Sequence, residues 1–173
     1  MLTVRYGVPL TALGLLLLAG AAHLAHYLPL MPDPIASHFD GNGAPNGWMS
    51  PSGMVIFEGV LLCFIALVML GSVRLIDRMP PSMINVPHRD YWLAPEHRAE
   101  LSQIMMRHML WLVCWAVALF IAINQLIFTA NRDPSTPRLS PENTLLVVGL
   151  GLAAIAMWTS TLLRQFRRPP SPG

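Results

Sequence analysis

The residues best placed to do chemistry are three histidines, two acids and an amide: His23, His26, His38, Asp40, Glu58 and Asn124. His at i and i+3 of a helix can share an ion, and carboxylates suit a borderline metal, so His23, His26, His38 and Glu58 are metal candidates. No HExxH or comparable ligand spacing accompanies them, so no metal or other cofactor is expected. A binding pocket is the second use for the same groups. In it Trp48 joins the six as an aromatic wall, and the polar side chains fix a ligand's orientation. The third use is structural, with Glu58 reaching water or pairing with a histidine. Ser37 adjoins His38, but sequence neighbours do not make a catalytic triad. No GxSxG, Walker or paired-acid motif is present, so no catalytic residue is assigned. Cys63 and Cys114 have no CxxC partner and read as small packing residues.

These groups must be positioned by a very apolar chain. Of 173 residues, 54% are hydrophobic and 12% charged, against roughly 25% charged in soluble domains. A net charge of +2 without a basic, aromatic-rich patch excludes nucleic acid as a partner. Length allows a single domain, residues 1–173. Charges are absent between Arg5 and Asp33, Arg107 and Arg132, and Glu142 and Arg164, and only Glu58 interrupts Met54–Val73. Each stretch suffices to cross a hydrocarbon layer of ~30 Å as a helix. The expected fold is therefore an all-α integral membrane four-helix bundle, with spans near 8–28, 54–73, 108–128 and 144–163. Met1–Ala25 also resembles a signal peptide, whose cleavage would leave three spans on the same loop sides; the apolar run to Leu28 is long enough to span unaided.

The eleven cations are all Arg. Arg5, Arg74, Arg78, Arg89, Arg98, Arg107, Arg164, Arg167 and Arg168 fall on one side of this topology, Arg132 and Arg138 on the other. The positive-inside rule then places both termini in the cytoplasm. The tail 164–173, basic and then Pro-rich, is expected to be disordered at the anionic lipid surface. Depth adds a second alignment. His23, Glu58 and Asn124 each lie four or five residues inside the outer boundary, ~6–8 Å deep at the helical rise. His26 is expected to share the face of His23, and Gln125 adjoins Asn124.

The outer connection 29–53 alternates prolines and glycines, with turn pairs Asp40-Gly41 and Asn46-Gly47. A strand over Ile35–Phe39 returning through Trp48, anchored by Ile35, Phe39 and Trp48, predicts an ordered extracytoplasmic cap. In the inner connection Pro95 suits the first turn of a helix, and Leu101, Ile104, Met105 and His108 recur on one face. This predicts a cytoplasmic amphipathic helix, or an extension of the third span, with Tyr91-Trp92-Leu93 as interfacial anchor. Tyr6, Tyr27, Trp92, Trp111 and Trp158 read as belt aromatics. The stripe Gly149, Ala153, Ala156 and Ser160, with Gly14, Ala21 and Ala25 in the first span, predicts close packing inside the bundle, or a homodimer face.

The run Leu30-Met31-Pro32-Asp33-Pro34-Ile35-Ala36-Ser37-His38-Phe39-Asp40, followed by Gly43, Pro45, Gly47 and Trp48, resembles the N-terminal domain of unknown function of SdpI-like membrane proteins. The resemblance covers roughly residues 8–75. Asn85 to Arg98 is similar to the cytoplasmic loop of the short, four-span branch of that family. The resemblance implies a bacterial multi-pass membrane protein of a binding or protective kind. In one branch it implies immunity to a membrane-active peptide toxin outside, with capture of a regulator protein inside. The docking candidates for such a regulator are Asn85, Arg89, Tyr91, Trp92 and Arg98. The alternative reading is a metal-dependent membrane enzyme or a small transporter component.

Overall fold

A computed structural model describes residues 2–75 and 78–166. Arg167, Arg168 and most of the expected tail lie outside the described residues. The elements run α1 (Leu2–Tyr27), β1 (Ile35–Phe39), β2 (Pro45–Met49), α2 (Pro51–Leu75), α3 (Arg89–Trp92), α4 (Arg98–Ala130) and α5 (Pro141–Phe166). Four of these helices are long and apolar enough to cross a membrane. The fold is an all-α membrane bundle with one small hairpin.

Two spans begin earlier than charge scarcity alone predicts, for one local reason. Ser50-Pro51 and Ser140-Pro141 each put a capping hydroxyl before a proline at the first helical position. Ser50 Oγ accepts from the Gly53 amide at 3.1 Å and Ser140 Oγ from the Asn143 amide at 3.2 Å. Each satisfies an amide that the first turn would otherwise leave open. Pro95 does the opposite of what was expected. It sits inside a turn closed by the His97 amide on the Ala94 carbonyl at 3.0 Å, and helix α4 starts only at Arg98. Leu101, Ile104, Met105 and His108 lie in an extension of the third span: α4 is continuous over 33 residues. At 1.5 Å per residue it exceeds the hydrocarbon layer by about 20 Å.

The spanning helices α1, α2 and α5 each pack on α4, which is the central element. Its buried positions include Leu110, Val113, Cys114, Val117, Asn124, Ile127 and Phe128. The outward faces of the other three carry Leu15, Leu18, Ile56, Phe64, Leu67, Leu145 and Leu150, all exposed. So large an apolar surface is stable where the surrounding solvent is hydrocarbon. Gly149, Ala153, Ala156 and Ser160 lie on this outward face, as do Gly14, Ala21 and Ala25. The expectation that they line intramolecular contacts is corrected. The register that packs Thr144, Val147, Gly151, Ala154 and Trp158 inward turns the small-residue stripe away. Cys63 is likewise exposed rather than packed, whereas Cys114 is buried with its thiol on the Pro9 carbonyl.

The hairpin pairs Ile35 with Met49 and Phe39 with Pro45, with irregular register between. Its tip is built by Asp40, whose Oδ1 accepts from the amides of Asn42 (2.8 Å) and Ala44 (2.9 Å). Gly43 has φ +78°, and a Cβ there would stand 2.3 Å from the Leu139 carbonyl oxygen. Only glycine fits that backbone and that approach. The Leu139 amide donates to the Gly43 carbonyl at 3.0 Å, which ties the tip to the α4–α5 connection. Asn46-Gly47, expected as a turn, lies in β2, where a Cβ on Gly47 would stand 3.1 Å from the His38 Cβ.

One amide fastens the hairpin to the bundle. Asn131 Oδ1 accepts from the Ala36 amide at 2.9 Å, and Asn131 Nδ2 donates to the carbonyls of Ala36 (2.8 Å) and Ile127 (2.9 Å). Beside it Ile35 packs with Met54, Ile127 and Phe128 beneath Tyr27, Leu28 and Met31. The expected anchors divide: Ile35 is fully buried, while Trp48 is 54% exposed on the far side of the sheet. Alternation along a strand sends neighbouring side chains to opposite faces, so both could not anchor. In the α4–α5 connection, hydrogen bonds from Ser135 and Thr136 hold the Asp133 carboxyl below its ordinary range.

Replacing Asn131 with Ala leaves the Ala36 amide and carbonyl without partners. The expected loss is on the order of 2–4 kcal/mol, concentrated in the hairpin. Hydrogen exchange in detergent micelles checks this: the Ala36 amide should lose protection while amides in the middle of α4 keep theirs.

Candidate functional site

The aligned polar residues come together as two adjacent pairs, on the bundle side of the hairpin. Asn124 Nδ2 on α4 donates to Glu58 Oε2 on α2 at 2.8 Å. His23 Nε2 on α1 donates to Gln125 Oε1 at 2.8 Å, and Gln125 Nε2 continues to Thr129 Oγ1 at 3.1 Å. The His23 ring lies stacked against Phe128, with centroids 5.4 Å apart, and Tyr27 stacks on the same Phe128. Asn124 is only 4% exposed, and its Oδ1 has no hydrogen-bond partner among the described residues.

A cavity of about 240 Å³ adjoins this layer. Glu58, His23 and Asn124 supply its polar lining; Leu17 and Leu24 from α1, Val55 and Leu62 from α2, and Phe120 and Ile121 from α4 are apolar. Gly20 and Gly59 keep two of its walls low. No Cβ contact within 4 Å would limit a side chain at Gly59. Leu17, Ala21 and Gly59 are exposed, so the space opens sideways between α1 and α2. The Ile35, Met54, Ile127 and Phe128 cluster under the hairpin is not part of its lining.

The expected site residues do not all line this cavity. His38, Asp40 and Trp48 are exposed beyond it, so they do not meet Glu58. His38 Nδ1 is 3.1 Å from Ser37 Oγ, and the Asp40 carboxylate shapes its own turn. His26 is exposed against the edge of Tyr27, a ring that His23 also touches, but it does not share the Gln125 and Phe128 contacts of His23. Three residues at 100° per residue leave a sixty-degree offset, enough to turn His26 off the packed face. No group of three or more His, Cys, Asp or Glu among the described residues is placed to hold a metal ion. The candidate set His23, His26, His38 and Glu58 is dispersed.

Two further grooves flank α4 and α5. Beneath the hairpin, about 490 Å³ is lined by Phe39, Leu119, Ile123, Val147 and Ile155 among others, almost wholly apolar. At the opposite end, about 280 Å³ lies among Arg107, Trp111, Trp115 and Trp158. Trp158 is no belt residue: its Nε1 donates to the His108 carbonyl at 2.9 Å, and His108 Nε2 donates to Gln165 Oε1 at 2.6 Å. Nothing in the sequence pattern paired His108 with Gln165, since the two are 57 positions apart.

The docking candidates near that end are mostly committed to the fold. Trp92 is buried edge-on to Phe166, Tyr91 stacks on His97 at 3.9 Å, and Arg98 Nη2 donates to the Met79 carbonyl at 3.1 Å. The tripeptide Tyr91-Trp92-Leu93 is thus an internal anchor onto α4 and α5 rather than an interfacial one. Asn85 and Arg89 are exposed. Desolvation raises the Tyr91 hydroxyl above its ordinary value, and the nearby Glu100 and Glu96 add repulsion.

These features define a multi-pass membrane protein of four spanning helices with a lateral polar pocket. Residues 15–62 match the family model described as a domain of unknown function (DUF1648). The match takes in the second half of α1, the hairpin and about the first half of α2, hence His23 and Glu58 but not Asn124. No curated protein and no solved structure matches the chain.

The Glu58–Asn124 pair makes a contrast expected to be visible in stability. Asn124→Ala removes the donor and should cost about 2–3 kcal/mol, the scale of a hydrogen bond to a charged group. Glu58→Gln keeps an acceptor for Asn124 Nδ2 and should change stability by less than about 1 kcal/mol. Thermal unfolding of the two variants in the same detergent measures the difference.

Proposed function

We propose that this chain is a binding protein of the membrane, of the protective or signal-capture kind, whose ligand sits between α1 and α2 against Glu58 and Asn124. The observation that carries the reading is Glu58 itself. An acid inside a span costs a few kcal/mol unless it is paired or faces a polar cavity. Here its hydrogen-bond partner among the described residues is a neutral amide, and the cavity beside it opens sideways. Such groups within spans tend to be kept for function.

The arginine distribution supports placing the hairpin outside a bacterial cytoplasmic membrane, with both termini in the cytoplasm. In that orientation the pocket lies in the outer half of the bilayer. A peptide toxin or other amphiphile arriving from outside dissolves first in that leaflet, so a side-opening pocket there suits an immunity-type role. The sequence resemblance to SdpI-like proteins points the same way. Metal-dependent catalysis is the less favoured reading, because the candidate ligands are dispersed. Regulator capture at the inner face would rest on Asn85 and Arg89, since Trp92 and Arg98 are engaged within the fold.

Native mass spectrometry of the protein released from its membrane tests the binding reading. Wild type should retain a mass in excess of chain plus phospholipid, and Gly59→Phe, which fills the cavity, should lose it. Identical spectra would sink the reading. Sidedness has a separate check: with Cys63 and Cys114 replaced, a cysteine at Ser37 should react with an impermeant maleimide in intact cells and one at Ser82 should not. The reverse pattern would overturn the orientation.

A further inference from the structure

We infer that the occupant of the α1–α2 pocket is an amphiphile with an N–H-bearing ammonium head and a single apolar tail. This rests on the binding reading above and names the ligand's chemistry. Three observations lead to it. First, the cavity holds an acid whose hydrogen-bond partner among the described residues is a neutral amide: Glu58 Oε2 accepts from Asn124, and the base on the wall, His23, is engaged with Gln125. A carboxylate in a low-dielectric wall favours a cation, because the interaction is stronger there than in water. Second, Asn124 Oδ1 is buried with no donor among the described residues. A buried acceptor without a donor is costly, and an N–H from a ligand would satisfy it after a small rotation of the amide. A quaternary ammonium could not. Third, the other walls are apolar. Leu17, Leu62, Phe120 and Ile121 lead from the polar layer to the open side between α1 and α2.

Size sets a limit on the occupant. About 240 Å³ is below the ~300–1,000 Å³ usual for drug-sized ligands. It suits an ammonium head and the first methylenes of one chain, with the rest of the tail left among lipid tails. A folded peptide helix does not fit. Glycine at 20 and 59 contributes by leaving the groove open. An added Cβ at Gly20 would already touch Ile121 at 3.4 Å.

Photolabelling of the full chain in phosphatidylcholine nanodiscs tests the proposal, with a diazirine-tagged dodecylammonium as probe. Labels should map to residues 17–24 and 59–62, and dodecylammonium should compete. Dodecyltrimethylammonium should compete at least about tenfold less well, and dodecanol not at all. Glu58→Gln should reduce site labelling about tenfold or more, as loss of one charge-assisted hydrogen bond implies. Gly59→Phe should abolish it, while His26→Ala leaves it unchanged. Equal competition by dodecanol, or labelling indifferent to Glu58→Gln, would show partition into lipid only and overturn the proposal. If wild type retains a native adduct but takes no alkylammonium, the ligand class is wrong and the binding reading stands. If neither is seen, both fail.

Discussion

Hydrocarbon offers no hydrogen bonds, so a polar group inside a span is costly unless it is paired. The long helices follow first, since each closes its own backbone pairs. Polar side chains are then paired in layers along α4, with Asn124 Oδ1 left over. His108 with Gln165, Asn124 with Glu58, Gln125 with His23, and Asn131 with Ala36 form a ladder from one end of that helix to the other. Each rung joins α4 to a different part of the chain, so the same pairs that satisfy polar atoms also fix which helix lies where. In lipid, where apolar faces gain little by meeting each other, such pairs and close packing hold helices together.

Placing α4 at the centre has a consequence for function. Because α1 and α2 each pack on α4 rather than principally on one another, a gap remains between them. Gly20 and Gly59 widen it, and Glu58 and Asn124 supply its polar end. Leu17, Ala21 and Gly59 on its rim are exposed, so access runs from the side. On the binding reading proposed above, a ligand for this space has to be soluble in the bilayer before it binds, and the proposed amphiphile meets that condition.

The two ends of the bundle are finished differently. At one, a hairpin whose tip needs Gly43 is clamped by Asn131 and by the fully buried Ile35. At the other, Trp92 and Leu93 fold back on Leu101 and Phe166. The second arrangement takes Trp92 and Arg98 out of contention as a docking surface, although their residue types invited that reading. An aromatic next to a basic residue has the same composition whether it faces lipid, a partner or its own core.

The sequence by itself determined the four spans, the strand over Ile35–Phe39 and the shared depth of His23, Glu58 and Asn124. All of these follow from local hydropathy and a fixed rise per residue, which need no knowledge of neighbours. It determined the hairpin turn at Asp40-Gly41 for the same reason. Only the tertiary structure decided that Glu58 pairs with Asn124 while His23 turns to Gln125, that His26, His38 and Asp40 lie apart, and that the small-residue stripe of α5 faces outward. Those outcomes depend on the rotation of each helix about its axis, and in a chain apolar all round, periodicity does not set that rotation. Asn131 was missed altogether: a single amide at a span's end carries no pattern, and its role exists only once Ala36, 95 positions away, is beside it.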